Sequence, residues 1–270
     1  MSALIVEKKD HVGVITFNRP EQMNTISGGM LAGLSEALVE LDRDDDIRAI
    51  VVTGSGRAFC AGLDLKDQAA GKGFDGESSQ FGEGGVGPLA STIDLRDAPP
   101  SVLHNVEKPV ICALNGGAAG YGMDLALGCD IRIASDKAKM SAAFTRRGVI
   151  PESGGTWLLP RIVGWSRAAE IMFTGRTLSA EQCLEFGIVN EVVPADQLMD
   201  KAMELAREIA GNAPLAVQAT KRMMRMAQVE SFEANIHHVF LQLLPLFKSK
   251  DFVEGFTAFL EKRTPEFHGR

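Results

Sequence analysis

Along the first two-thirds of the chain, short runs of β-branched and apolar residues alternate with segments of helical spacing. Val12–Phe17, Ala49–Thr53, Val110–Leu114 and Ile131–Ala134 are rich in Val and Ile and bounded by turn residues, a pattern that predicts strands. Between the first two, Met30, Leu31, Leu34, Leu38 and Leu41 recur at helical spacing behind Ser27, a residue type suited to cap a helix. Strands alternating with helices predict an α/β fold with crossover connections. After Asp196 the pattern turns helical throughout, over Asp196–Gly211, Pro214–Met226, a stretch around Ser231–Leu243, and Asp251–Lys262. Gly211-Asn212, Pro245 and Lys248–Lys250 punctuate these segments. Ser179 followed by Gln182 predicts a capping box, since the glutamine can reach back to the free amide at Ser179. The expected organisation is an α/β core over residues 1–195 and a helical module over 196–270.

Composition narrows the classes. Of 270 residues, 45% are hydrophobic and 23% charged, so the chain can bury enough apolar surface to fold. The net charge of −7 argues against nucleic acid or an anionic membrane as partner, while leaving room for a small anionic ligand at local cations and helix N-termini. No apolar run is long enough for a membrane span, and the N-terminus lacks the basic-then-apolar order of a secretory signal. Cys60, Cys112, Cys129 and Cys183 stand in no metal-ligand spacing and are expected to be reduced, mostly buried thiols of a cytoplasmic protein. No metal site is expected, and the five histidines have no partner constellation. Residues 71–87 contain seven glycines and predict a surface loop. Their two GxGxxG matches neither follow a strand nor open a helix, so they lack the scaffold of a dinucleotide site.

Two segments carry candidate chemistry. Gly56–Lys66 follows one strand and Leu114–Asp130 follows another. In both, small residues bring main chain close to whatever occupies the cleft, and the second opens a helix whose free amides and dipole attract negative charge. Two converging amides suit a developing oxyanion. Taken singly, each also reads as a Gly-rich turn needed for packing.

Together these segments resemble the crotonase family, the enoyl-CoA hydratase/isomerase superfamily. Val14–Pro20, Ala58–Lys66, Lys108–Gly116, Cys129–Ala134, Thr174–Glu181, Gly187–Val193 and Glu254–Arg263 match in order, over the whole chain. The resemblance implies a spiral of ββα units with a C-terminal helical oligomerisation module, assembled as a homotrimer or a hexamer of paired trimers. It implies an acyl-CoA thioester substrate, with coenzyme A part of the substrate and no separate cofactor. It assigns the oxyanion donors to the backbone N–H of Leu63 and Tyr121. It places Ala61, Asp64, Leu65, Lys66, Gly120, Phe144 and Lys262 at the substrate or CoA.

The acids distinguish reactions within the family. The hydratases use two glutamates, and these map to Asp124 and Phe144; a phenyl ring cannot transfer a proton. Glu152 stands eight residues later, where the Δ3,Δ2-enoyl-CoA isomerases carry their catalytic acid. Dienoyl-CoA isomerases and the bacterial ring-epoxide isomerase of phenylacetate breakdown have Asp there. The resemblance thus implies double-bond isomerisation with Glu152 as proton shuttle and Asp124 as a second possible acid. A hydratase, a ring-expansion isomerase and a non-catalytic trimeric binding protein remain as alternatives. Pro151-Glu152 also reads as a plain helix start, and Asp124 as a dipole partner in the first turn of its helix. Lys66 and Lys262 equally read as solvated charges.

Overall fold

A computed structural model of the protein describes residues 2–63 and 96–270. The strands are β1 (Leu4–Lys9), β2 (Val12–Phe17), β3 (Ala49–Gly54), β4 (Ala58–Cys60), β5 (Val110–Leu114), β6 (Gly117–Ala119), β7 (Ile131–Ser135), β8 (Lys139–Ser141), β9 (Thr177–Ser179) and β10 (Glu191–Val193). The α-helices are α1 (Gly28–Arg43), α2 (Pro99–Asn105), α3 (Tyr121–Gly128), α4 (Gly155–Val163), α5 (Trp165–Thr174), α6 (Ala180–Glu185), α7 (Leu198–Ala210), α8 (Pro214–Met226), α9 (Phe232–Leu246) and α10 (Lys250–Glu261). The loop expected at 71–87 lies outside the described residues.

Among the described residues the strands form two sheets. One runs β1-β2-β3-β5-β7-β10 and the other β4-β6-β8-β9. β2, β3, β5, β7 and β10 pair in parallel, as do β4, β6 and β8. Each turn of the chain therefore gives one strand to the large sheet and the next to the small one: β3 then β4, β5 then β6, β7 then β8. This is a spiral of ββα units, as the resemblance implies.

The four strands read from the sequence are present, and their Val and Ile residues other than the half-buried Ile131 are buried because helices cover the large sheet on both sides. On one side α1 lays Met30, Leu34, Leu38 and Leu41 into the main core. On the other, Leu198, Ala202 and Ala206 of α7 pack on Val12, Val14, Val51, Ile111 and Ile133. β1 has no apolar alternation, since it is an edge strand exposed at most positions. It forms instead through the antiparallel ladder to β2, across a turn in which Asp10 and His11 both have positive φ, as the tight hairpin geometry requires.

Several expectations are corrected. Ser27 is the N-cap of α1 but makes no side-chain cap; its carbonyl accepts the Met30 and Leu31 amides. Pro245 does not end α9 but lies inside its last turn, where few hydrogen bonds remain to be lost. Pro151 and Glu152 do not start a helix: α4 begins at Gly155, behind Gly154 at φ +102°. The capping box at Ser179 and Gln182 forms as expected. All four cysteines are buried and unpaired. No helix among the described residues is long and apolar enough to cross a membrane.

α3 is held at its C-terminal end by a buried cation. Arg132 donates through Nη1 to the carbonyls of Leu127 (3.2 Å), Ala126 (3.4 Å) and Cys129, and through Nε to Ile188 O at 2.6 Å. The Leu127 and Cys129 carbonyls stand at the end of α3 and have no partner further along the helix, whereas Ala126 O also accepts the Cys129 amide at 3.3 Å and Ile188 lies past α6. Replacing Arg132 with Met removes the guanidinium from the Leu127, Cys129 and Ile188 carbonyls, at a cost of about 1–3 kcal/mol for an orphaned buried group. Urea denaturation of R132M is therefore expected to give an unfolding free energy lower by roughly 3 kcal/mol; an unchanged midpoint would show that the guanidinium does not hold the helix.

Candidate active site

Because β4, β6 and β8 are parallel neighbours, their C-terminal ends emerge side by side. The next residues are Ala61-Gly62-Leu63 after β4, Gly120-Tyr121 after β6, and Ala142-Ala143-Phe144 after β8. Carboxyl ends of parallel strands are where open α/β sheets place their ligands.

The first two ends touch main chain to main chain. A Cβ on Gly62 would lie 2.7 Å from Ala119 O and 3.7 Å from Tyr121 N, and Gly62 has φ +91°. A Cβ on Gly122 would lie 2.0 Å from Cys60 O. Only glycine permits either approach. The Leu63 segment is fixed from its other side. Ile26 N–H donates to Gly62 O at 2.9 Å, and Ala61 N–H donates to Met23 O at 3.1 Å. Tyr121 is the first residue of α3, with Gly120 as N-cap at φ +53°. No main-chain acceptor among the described residues takes the Leu63 or the Tyr121 N–H. The arrangement thus sets two amides without a main-chain acceptor among the described residues at adjacent strand ends, one of them at a helix N-terminus, where negative charge is favoured.

The side chains around them are distinct. Phe144 is 5% exposed, and its ring edge lies 3.8 Å from where a Gly120 Cβ would stand. Tyr121 is buried, and its phenol is raised above its ordinary pKa by burial first, then by the charges of Glu152, Cys60 and Asp124. Asp124, one turn along α3, is 1% exposed. Its Oδ2 accepts from Ser153 Oγ at 2.7 Å and from Gly155 N–H at 3.1 Å. Its Oδ1 is buried without a hydrogen-bond partner. Burial pushes this carboxyl up to about 7 against the downward pull of the Ser153 hydroxyl and the Gly155 and Ser153 amides, and the Glu152 charge adds to the rise. Glu152 sits exposed in the turn before α4; partial enclosure raises its pKa, opposed by its own main-chain N–H. The Glu152 charge opposes ionisation of Asp124.

The structure thus brings together Ala61, Leu63, Gly120, Tyr121, Asp124, Phe144 and Glu152. Asp64, Leu65 and Lys66 lie outside the described residues. Lys262 ends α10 in the left-handed conformation and is exposed, with no hydrogen bond to the strand ends. Ser153 and Gly155 were not singled out by sequence reasoning. Their only signal was a hydroxyl and small residues beside Glu152. No group of three metal-ligating side chains occurs among the described residues.

The family model for enoyl-CoA hydratase/isomerase matches residues 7–270. The chain is 38% identical to the 1,2-epoxyphenylacetyl-CoA isomerase of Escherichia coli (strain K12) over 100% of both chains. It is 35% identical to the 2,3-dehydroadipyl-CoA hydratase of the same organism, again over 100% of both. The crystal structure of enoyl-CoA hydratase from Bacillus anthracis superposes with a TM-score of 0.87 at 34% identity, covering 100% of each chain. The protein belongs to the enoyl-CoA hydratase/isomerase family and is an enzyme of acyl-CoA metabolism.

The buried Asp124 carries a stability signature. Its pKa is higher in the folded state (about 7) than in the unfolded chain, where an ordinary Asp titrates near 3.9. The folded state therefore holds the proton more tightly across that window. Its contribution is fully present below about pH 4 and declines as pH rises to about 7. Chemical denaturation of D124N from pH 4 to 8 is expected to show a smaller decline than the parent. Equal slopes in the two proteins would mean that Asp124 does not carry the proton.

Proposed function

We propose that the protein shifts a double bond within an enoyl-CoA, from the 3- to the 2-position or within a dienoyl chain, through a thioester enolate. Glu152, as carboxylate, removes a proton from C2 of a 3-enoyl-CoA. The electron pair moves onto the thioester oxygen, which the Leu63 and Tyr121 N–H groups hold. Glu152 returns the proton at C4, and the 2-enoyl-CoA leaves with the enzyme unchanged. Fixed donors stabilise the charge without reorganising, and one base serves both carbons if it lies above the acyl plane.

The observation that carries this reading is the placement of the acids. The end of β8 presents the Phe144 ring, whereas an exposed carboxyl, Glu152, lies close enough to act electrically on both Tyr121 and Asp124. Its raised pKa makes it a stronger base than an ordinary glutamate once ionised. A second reading, ring expansion of an epoxide thioester, is favoured by the likeness to 1,2-epoxyphenylacetyl-CoA isomerase across the whole chain.

Product analysis in isotopically labelled water, with 3-enoyl-, 2-enoyl- and 1,2-epoxyphenylacetyl-CoA offered separately, tests the choice. The 3-enoyl-CoA is expected to give 2-enoyl-CoA with no labelled hydroxyl. E152Q is expected to lose at least the ~10²–10⁴-fold that a positioned acid–base group contributes. A labelled 3-hydroxyacyl-CoA would make the enzyme a hydratase, and full activity in E152Q would remove the shuttle.

The working form is proposed to be a cytoplasmic homotrimer, alone or paired into a hexamer. Supporting this are large apolar side chains left exposed on α9 and α10, among them Phe232, Phe240, Leu244, Phe256 and Phe259. Exposed apolar area of that kind marks contact surfaces. Light scattering is expected to give three or six times the 29.0 kDa chain mass; a monomer at micromolar concentration would contradict it.

A further inference from the structure

The turn that carries Glu152 is not held by its own residues. Gly154, the N-cap of α4, offers no side chain to the free amides that open that helix. The acceptor comes from another helix. Gly155 N–H, at the first position of α4, donates to Asp124 Oδ2, and Ser153 Oγ donates to the same oxygen. One carboxyl oxygen on α3 thus grips the chain on both sides of Gly154, whose φ of +102° makes the bend. The residue before Ser153 is Glu152.

The grip is enclosed. Ser153 is 2% exposed and Asp124 1%. Asp124 Oδ1, the oxygen left over, is sealed against Gly155, where a Cβ would come within 2.2 Å of it. One oxygen is engaged twice and the other faces protein, so neither is presented to the cleft.

We propose that Asp124 and Ser153 are positioning residues that set the Glu152 carboxyl against the Leu63 and Tyr121 amides, and that Asp124 exchanges no proton with substrate. This rests on the reading of Glu152 as the base. Asp124 ties the two halves of the site together because its own helix begins at Tyr121, so a single side chain fixes α4's approach relative to the amide at α3's first residue. The titratable groups facing it are Glu152 on the turn before α4 and Tyr121 on its own helix, with Cys60 of β4 acting on Tyr121. His104 of α2 stacks edge-on to Trp157 and responds to Arg225, Lys221 and Asp130, not to Asp124. The neutral form of Asp124 suits the task. A negative charge within one turn of Tyr121 N–H would oppose the charge building on the thioester oxygen, so kcat is expected to fall as pH rises through about 7.

The test compares D124N, D124A, S153A, S153T and E152Q in the 3-enoyl-CoA assay, with acyl-CoA binding and thermal melting recorded for each. Asn keeps the accepting oxygen, so D124N is expected to lose less than about tenfold in kcat, whereas D124A, with the turn released, loses on the order of 10²-fold at similar KM. S153T is expected to restore most of what S153A loses. The kcat fall near pH 7 disappears in D124N. In S153A it moves to higher pH, because the Ser153 hydrogen bond helps to hold the Asp124 pKa down. A loss of ~10²–10⁴-fold in folded, binding-competent D124N, with E152Q inactive, would overturn the proposal and make Asp124 a proton-transferring acid. Activity surviving in E152Q would instead overturn the reading of the base itself.

Discussion

The structure depends on main chain meeting main chain where successive turns of the spiral pass each other. At Gly62 and Gly122 there is no room for a Cβ between the end of β4 and the start of α3, and at Gly116 a Cβ would fall 2.1 Å from Arg57 O. Side chains flex, but backbone does not, so these contacts fix the spacing of consecutive turns. With that spacing fixed, the parallel ladder from β4 to β8 has one register, and the amides of Leu63 and Tyr121 have one relative position. An oxyanion site made of main-chain donors needs that rigidity more than it needs any particular side chain. Asn24 and Asn115 serve the same end: both are donors to Ala58 O, at the start of the strand that leads to Leu63.

The two carboxyls near this site have been given opposite environments. Asp124 is enclosed and favours its neutral form up to about pH 7, whereas Glu152 is exposed. Two like charges close together in a low-dielectric setting do not ionise at once, and the difference in burial decides which one does. On the proposed reading, that division gives chemistry to the exposed acid and geometry to the buried one. It also accounts for the need for Gly at 155, since any side chain there would displace the carboxyl that caps α4.

Much of this was legible in the amino-acid sequence, for physical reasons that differ from element to element. β2, β3, β5 and β7 were readable because strands covered on both faces must be apolar at nearly every position. β1 was not, because an edge strand needs only its ladder. α8 was read to its limits, since Pro214 at its first turn is an unambiguous start. The end of α9 was misread because Pro245 costs little in a last turn. The amide segments were visible as glycine and small residues, but their convergence is a property of the second sheet, whose three-residue strands β6, β8 and β9 carry no periodicity. Ser153 was invisible for a related reason: its partner is 29 residues away on another helix.

Phe144 and Glu152 stand on two different elements of this scaffold. The end of β8 lies beside the amide pair, and a ring there fills space with apolar surface while offering no proton. The turn before α4 brings Glu152 from another element, near enough for its charge to act on Tyr121 and Asp124. A strand end is held by its ladder and needs no further support. A turn built on Gly154 has no such support, so an acid placed there requires a neighbour to hold it still, and Asp124 is the side chain in position to do so.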